Sequence, residues 1–206
     1  MTIAEFVNKI SLVQDNNQSF ENPYAESSKK ENLHCYLTYL YNLKLGIDIM
    51  LIGEAPGHRG CAITGIPFTD EIQLLNPDNK FALGEGYSVN GNTKENSATV
   101  IWEALREKQI VPLMWNAFPF HPYDKGNINS NRTPCKTEIE QGKKYIEMLM
   151  NIFNISPSQI YAIGKTPLLQ LGLDQNHYIR HPSHGGKKDC QLGILKIEKI
   201  KKPICV

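Results

Sequence analysis

Residues 47–68 read IDIMLIGEAPGHRGCAITGIPF, so that an apolar segment runs directly into a turn of Gly, Glu, Ala and Pro. The apolar half is short and rich in Ile, which predicts a buried β-strand. Gly53 and Gly57 allow the backbone to turn sharply and to approach a ligand closely, and Pro56 fixes the turn between them. Glu54 therefore stands at the carboxyl end of a predicted strand, which is a common place for a reacting carboxylate.

Strands and helices alternate along the rest of the chain. Short apolar segments predict strands at 47–52, 110–115, 159–163 and 177–180, and helical periodicity predicts helices at 2–14, 31–43, 97–108 and 137–153, the third capped by Ser97. Two more helices are predicted, one carrying Leu168, Leu169 and Leu171 and one at 190–202, while the segment 76–96, rich in Gly and Asn, is predicted to cross the surface. This alternation predicts an α/β fold with a parallel, doubly wound sheet and helices on both faces.

Length and composition indicate the broad class of protein. With 206 residues, 41% of them apolar and 21% charged, the chain suffices for one core, and we predict a single domain over 1–206 with an N-terminal helical segment at about 1–45. No apolar run approaches the roughly 18 residues of a membrane span. The start, MTIAEFVNKISLVQ, lacks the pattern of a signal peptide. We therefore expect a cytoplasmic protein with no membrane partner, and a monomer.

Cysteines and charge limit the cofactors and partners. The five cysteines, at 35, 61, 135, 190 and 205, contain no Cys-x-x-Cys pair, which argues against a disulfide framework and against a zinc or iron–sulfur site. The net charge of +1 provides no general attraction to nucleic acid. Lysines do cluster near the C-terminus, at 187, 188, 196, 199, 201 and 202, where they form either a solvated surface or a contact with a phosphate backbone.

Two further strands end in polar turns. NAFPFHP, residues 116–122, follows the second predicted strand, and HPSHGG, residues 181–186, follows the fourth. Because ligands bind outside the carboxyl ends of parallel strands, we expect Glu54, Asn116 and His181 to converge. The Asn116 amide can both donate and accept at the edge of a pyrimidine, and His181 can donate to developing negative charge. Taken singly, each of these residues also has an ordinary structural interpretation.

Three other features of the sequence resemble parts of binding sites. Phe68 follows Gly65-x-Pro67 and can stack on a planar ligand, although a single Phe is more commonly a core residue. Gly164-Lys165-Thr166 lacks the first glycine of a phosphate-binding loop. His181 and His184 have a spacing compatible with metal ligation, but no third ligand lies at a recognisable spacing, so we expect no metal.

Together, GEAPG at 53–57, GIPF at 65–68, Asn116 at a strand end and His181-Pro182-Ser183 resemble the motifs of the uracil-DNA glycosylase superfamily. The resemblance covers most of the chain and is greatest to the bacterial and archaeal family four. It implies a three-layer α/β/α sandwich around a four-stranded parallel sheet. It also implies a DNA repair enzyme that hydrolyses the N-glycosidic bond of uracil, or of another deaminated base, after that base has flipped out of DNA. No metal or organic cofactor is required for that reaction.

The resemblance also implies a role for each site residue. Phe68 would stack on the uracil ring, and Asn116 would read its polar edge. His181 would stabilise the uracil anion through its O2 oxygen, and Glu54 would position or activate water. The backbone that closes around the base and sugar would be that of Gly53, Glu54, Ala55, Pro56 and Gly57. The DNA would be contacted by Ser183, His184, Gly185, Gly186 and Lys187.

The chain departs from the family pattern at several positions. Family four binds an iron–sulfur cluster through four cysteines, and this chain has no matching spacing. Ala55 occupies the position of a water-activating aspartate in the best-known uracil-removing enzymes, although relatives with Ala there also act. Gly57 leaves space beside uracil C5, which favours tolerance of some 5-substituted or deaminated bases. Two other functions stay open at this point, a catalytically weak nucleic-acid or nucleobase binding protein and an enzyme acting on free nucleosides or nucleotides.

Overall fold

The computed structural model describes residues 1–43, 47, 49–76, 86–108 and 111–197. Within them lie the strands β1 (Phe20–Glu21), β2 (Met50–Gly53), β3 (Leu113–Asn116), β4 (His121–Pro122), β5 (Ile160–Ile163) and β6 (Tyr178–Ile179). Four of these strands form a parallel sheet in the order β3-β2-β5-β6, which confirms the predicted sheet. The strands β1 and β4 form a separate antiparallel pair that the sequence did not predict.

The helices of the described residues are α1 (Ile3–Ser11), α2 (Ser27–Tyr41), α3 (Cys61–Thr64), α4 (Glu71–Leu75), α5 (Asn96–Lys108), α6 (Lys136–Phe153), α7 (Lys165–Leu171) and α8 (Lys187–Lys196). The prediction that Ser97 caps the third long helix is wrong, because α5 begins one residue earlier and Ser97 lies in its first turn. Residue 110 of the predicted second strand and residues 198–202 of the predicted last helix, with Lys199, Lys201 and Lys202, lie outside the described residues. None of the helices in the described part of the chain is both long and apolar enough to cross a bilayer.

Side chains that accept from backbone N–H groups explain where several helices begin. Thr2 Oγ1 accepts from Glu5 N at 3.2 Å, and Glu5 Oε2 accepts from Thr2 N at 2.8 Å, so that α1 starts with a capping box. Asp70 Oδ1 accepts from Gln73 N at 2.8 Å and begins α4. These caps satisfy N–H groups that have no partner within the helix.

The sheet is the middle layer of an α/β/α sandwich, as predicted. Met50, Leu51 and Ile52 of β2 are fully buried, as expected for a parallel strand covered on both faces. On one side, Phe6 of α1 packs edge-on against Trp115 of β3, with ring centroids 5.7 Å apart. The helices α5 and α8 pack against each other, and α8 also contacts β6. The buried strands thus hold their carboxyl ends in fixed positions.

The strand order creates a crevice at one edge of the sheet. Since β2 lies between β3 and β5, the chain first crosses to one side of β2 and later returns on its other side. Ligands bind at such a change of direction, outside the carboxyl ends of the strands. Pairing also continues beyond the strands, because Ala117 N donates to Gly53 O at 2.8 Å and Phe118 N donates to Glu54 O at 3.0 Å. The turns that follow β2 and β3 are therefore joined.

Candidate active site

A cavity of about 830 Å³ opens at the carboxyl edge of the sheet. Its volume falls within the range of roughly 300–1,000 Å³ that is usual for small-molecule sites. The cavity is lined by nine of the residues that the sequence singled out, namely Gly53, Glu54, Ala55, Pro56, Gly57, Phe68, Asn116, His181 and Ser183. Three turns that are far apart in sequence thus meet around one space, and the chemical roles of these residues stay predictions.

Other residues of the predicted site lie elsewhere, and the cavity has members that the sequence did not suggest. His184, Gly185, Gly186 and Lys187, predicted to contact DNA, do not line the cavity. The lining residues that carry chemistry but were not predicted for the site are Cys61, Glu95, Arg132 and Arg180, together with Lys165, whose resemblance to a phosphate-binding loop was incomplete. Cys61 lies within the stretch 47–68 and Arg180 directly precedes His181, so closeness to a motif was the available signal. Glu95 had no such signal, because it follows a loop segment rich in Gly and Asn.

The end of β2 packs directly against the ring of Phe68 and the amide of Asn116. A Cβ atom added at Gly53 would lie 2.5 Å from Phe68 Cζ and 2.7 Å from Asn116 Oδ1, so only glycine fits between them. Phe68 has a φ of 54°, a left-handed conformation that is costly for an aromatic residue. The Trp102 indole supports it by donating from Nε1 to the Phe68 carbonyl oxygen at 3.1 Å. The ring of Phe68 therefore has a fixed place on the cavity wall.

Replacing Gly53 with Ala should destabilise the protein by about 1–3 kcal/mol, because the added methyl group overlaps both the Phe68 ring and the Asn116 amide. Urea unfolding measures this change. Gly57→Ala is the matched folding control, since the nearest atom to its Cβ would be Asn131 Oδ1, at 3.9 Å. If Gly53→Ala and the wild type had the same free energy of unfolding, the close packing at the end of β2 would be refuted.

Asn116, a lining residue of the cavity, contacts a buried thiol. It is 3% exposed, and its Nδ2 donates to Cys61 Sγ at 3.7 Å. Burial raises the pKa of the Cys61 thiol, so that this sulfur stays protonated at neutral pH. A protonated thiol is a poor nucleophile, and Cys61 therefore orients the amide and does not attack a ligand.

The surroundings of His181 determine which ring nitrogen can donate to a ligand. Ser183 N donates to His181 Nδ1 at 3.2 Å, and the Ser183 hydroxyl lies 2.7 Å from the same nitrogen. A nitrogen that accepts a backbone N–H carries no hydrogen, so the hydrogen of the neutral ring is on Nε2. Burial, with the charges of Arg180 and His184, lowers the pKa of His181 and favours this neutral form. His181 is thus a neutral Nε2–H donor at the cavity wall.

The loop that follows His181 is folded back on itself. Arg180 donates from its two terminal nitrogens to the carbonyl oxygens of His181, at 3.1 Å, and His184, at 3.4 Å. His184 and Gly185 are exposed and both have positive φ. Gly186 is buried, and a Cβ there would overlap the His181 carbonyl oxygen. Lys187 begins α8 and pairs with Glu103 at 3.0 Å. The exposed tip of this loop is therefore His184-Gly185.

A buried histidine joins the turn after β2 to the loop 123–134. His121 Nδ1 lies 2.8 Å from the Pro56 carbonyl oxygen, and His121 Nε2 lies 2.8 Å from the Ile128 carbonyl oxygen. The same loop carries Arg132, whose guanidinium donates two hydrogen bonds to the Glu138 carboxylate, at 2.9 and 2.8 Å. The part of the cavity wall that this loop provides is thus held by polar contacts between segments distant in the chain.

The candidate site shows no arrangement typical of a metal centre. Across the residues that the structure describes, no group of three or more His, Cys, Asp or Glu side chains is placed to hold a metal ion. The acidic lining residues are Glu54 and Glu95, while Arg132, Lys165 and Arg180 are cationic. The cavity therefore offers a stacking face, an amide, a neutral imidazole and groups of both charges.

Comparisons with known proteins link this geometry to a family. The sequence model described as the uracil DNA glycosylase superfamily matches residues 41–197. Among solved structures, the fold is similar to that in the crystal structure of wild-type SMUG2 from Pedobacter heparinus, with a TM-score of 0.62, 16% sequence identity and 94% of each chain covered. At that identity the similarity concerns the fold. No curated protein sequence matches the chain significantly.

Proposed function

The chain belongs to the uracil DNA glycosylase superfamily, and we propose that it is a monofunctional glycosylase that hydrolyses the N-glycosidic bond of uracil in DNA. Membership supports a DNA glycosylase-type function, with DNA as the partner that carries the substrate. The assignment of uracil as the substrate rests on one observation, that one cavity is lined by Phe68, Asn116 and His181. They supply a stacking face, an amide that pairs with a donor and an acceptor, and a neutral donor.

In the proposed reaction, the bond between uracil N1 and deoxyribose C1′ breaks and its electron pair stays on the base. Water adds its oxygen to C1′ and gives up a proton, and the departing uracil anion takes up a proton, so the products are free uracil and an abasic sugar. The Nε2–H of His181 donates to uracil O2, where negative charge develops. The Glu54 carboxylate orients the water and favours the positively charged sugar. Because residue 55 is Ala, Glu54 is the residue of the turn 53–57 that carries a carboxylate.

Contacts to DNA are proposed at the mouth of the cavity. Flipping a base out of the stack costs a few kcal/mol, which contacts to the flanking backbone must offset. Lys165 and Arg180 line the cavity and supply local positive charge in a chain whose net charge is only +1. The loop 183–187, with its exposed tip His184-Gly185, is the proposed contact to the strand beside the flipped base.

Incubating the protein with an oligonucleotide that contains one uracil should release uracil and leave an abasic site. Cleavage of the strand should then require alkali, because a monofunctional enzyme does not cut the backbone itself. The same oligonucleotide with thymine is the control. Absence of product across salt concentrations, in both single- and double-stranded DNA, would refute the proposal. Tight binding without release, unaffected by changes at His181, would favour the weak binder, and release from mononucleosides alone would favour a nucleoside enzyme.

Several finer properties are proposed on the same basis. The open space at Gly57, where a Cβ would lie 3.9 Å from Asn131 Oδ1, supports tolerance of some 5-substituted or deaminated bases, and the same assay tests them. The assignment to family four, the single domain over 1–206, the monomeric state, the cytoplasmic location and the independence from cofactors stay predictions.

A further inference from the structure

Glu95 brings a second carboxyl group to the cavity from outside the three strand-end turns. It lines the cavity and lies directly before α5. Its backbone N–H donates to Asp70 Oδ2 at 2.7 Å, and its carbonyl oxygen accepts from Thr99 N at 3.1 Å. The preceding residues are also anchored, since the Glu71 carboxylate accepts from the backbone of Asn90, Gly91 and Thr93 at 2.8–3.0 Å. The main chain at Glu95 is therefore fixed.

The side chain of Glu95 lies on the Asn116 side of the cavity. A Cβ at Gly60 would overlap Glu95 Oε2 and lie 2.8 Å from its Cδ, so the carboxyl group occupies the space that glycine leaves open. Burial, and then the charge of Glu95, raise the pKa of the adjacent Cys61 thiol. The same thiol accepts from Asn116 Nδ2 at 3.7 Å. The carboxyl group, the thiol and the amide thus follow one another along one wall.

Nothing in the described part of the chain satisfies this carboxyl group. Its oxygens form no hydrogen bond or ion pair with any described residue, in contrast to the carboxylates of Asp70 and Glu71 nearby. Burial, with the negative charge of Asp70, raises the pKa of Glu95 to about 7. At neutral pH a large share of the molecules therefore carry Glu95 as the uncharged acid.

We propose that Glu95 is a further catalytic residue, which contacts the flipped-out base on the side that Asn116 reads and, as the neutral acid, donates a hydrogen bond to a carbonyl oxygen of that base. This inference rests on the proposed function. Negative charge grows on the base oxygens as the bond to C1′ breaks, and a neutral acid stabilises that charge while a carboxylate repels it. A carboxyl group kept neutral in a dry site is an established way to build such a donor.

The titration of Glu95 has to be distinguished from that of the charged and titratable groups around it. Asp70 and the Cys61 thiol interact with it electrostatically, and the same cavity is lined by Glu54, Arg132, Lys165, Arg180 and His181. The pKa of His181 is lowered, so its titration lies on the acidic side of that of Glu95. A loss of rate on the alkaline side of pH 7 therefore reports on Glu95.

Single-turnover uracil release should be measured from pH 6 to 9 in the wild type and in two substitutions of Glu95. We expect the wild-type rate to fall about tenfold per pH unit above about 7, as the donor ionises. Glu95→Gln keeps an N–H donor and should show a flat profile, and Glu95→Ala should be slower by at least tenfold at pH 6. Glu107→Gln, on the exposed side of α5, removes the same charge and should keep the wild-type profile.

Two outcomes of that experiment would overturn the inference. If the wild-type rate rose with pH through pH 7, and this rise were absent in Glu95→Gln, Glu95 would be a base acting on water. A wild-type rate in folded Glu95→Ala would show that Glu95 does not contact the substrate. Asp70→Asn provides a second, independent variant, because removing this charge should move the alkaline loss of rate to lower pH. An unmoved profile in folded Asp70→Asn would contradict the environment assigned to Glu95.

Binding of free uracil separates this inference from the proposed activity. Calorimetry at pH 6 and at pH 8.5 should show tighter binding at pH 6 for the wild type, no such difference for Glu95→Gln, and, at pH 6, weaker binding for Glu95→Ala by a factor smaller than its loss of rate. If no variant releases uracil from DNA but binding follows this pattern, the proposed activity fails and the contact stands. If release is normal while binding is the same for Glu95→Ala and the wild type, the activity stands and the inference fails. Absence of uracil binding by the wild type at both pH values would overturn the contact.

Discussion

Replacing His181 with Ala should slow uracil release by about 10²- to 10³-fold, which corresponds to the loss of about 2.7–4 kcal/mol from one donor to a developing anion. His181 can act in this way because Ser183 N already donates to Nδ1, at 3.2 Å, which leaves the hydrogen on Nε2. The effect should appear in the chemical step, so single-turnover rates with enzyme in excess are the measurement. Ground-state binding of uracil should change far less, because the charge on O2 develops only as the bond breaks.

Two other substitutions make the His181 result specific. Ser183→Ala should have a smaller effect, because the backbone N–H that fixes the ring remains while the hydroxyl 2.7 Å from Nδ1 is lost. His34→Ala removes an exposed histidine on α2 and should keep the wild-type rate. His181→Ala should also keep the wild-type unfolding midpoint in urea. A folded His181→Ala protein with the wild-type rate would contradict the role of His181 as donor.

The parts of the site that could be predicted from sequence are those that the parallel sheet itself brings together. Asn116 ends a short apolar strand, Glu54 and His181 come just after two others, and the carboxyl ends of parallel strands share one edge. Phe68 could be assigned to the site only through the resemblance of GIPF, residues 65–68, to a family motif. For the three strand-end residues the inference needs only the period of a strand and the topology of a parallel sheet, and the cavity contains them together with Phe68.

Contacts between segments far apart in the chain could not be predicted in this way. Glu95 reaches the cavity because Asp70 binds its N–H from 25 residues earlier and Glu71 binds Thr93 from 22 residues earlier. A sequence pattern shows the loop as Gly- and Asn-rich and gives no indication of these two buried acceptors. His121 is a second example, because its contact with the Pro56 carbonyl oxygen joins residues 65 positions apart in the chain. Such contacts depend on the completed fold.

Replacing Asn116 with Ala should reduce uracil release by about 10²- to 10³-fold, for a reason different from that at His181. The Asn116 amide is 3% exposed and is fixed by Cys61 and Gly53, so it is positioned before any base enters. A base that enters the Ala variant leaves its own donor and acceptor unpaired in a buried site, and a site of this kind loses binding as well as rate.

The Asn116 substitution should therefore weaken the binding of free uracil, which calorimetry measures, whereas His181→Ala should leave that binding nearly unchanged. Asn8→Ala, on the exposed face of α1, is the control for an asparagine outside the cavity. If Asn116→Ala lowered the single-turnover rate without weakening uracil binding, Asn116 would act on the transition state alone and would not read the base. If both variants weakened uracil binding equally, His181 would also bind the base before the bond breaks. The separate roles proposed for Asn116 in binding and His181 in catalysis would then be wrong.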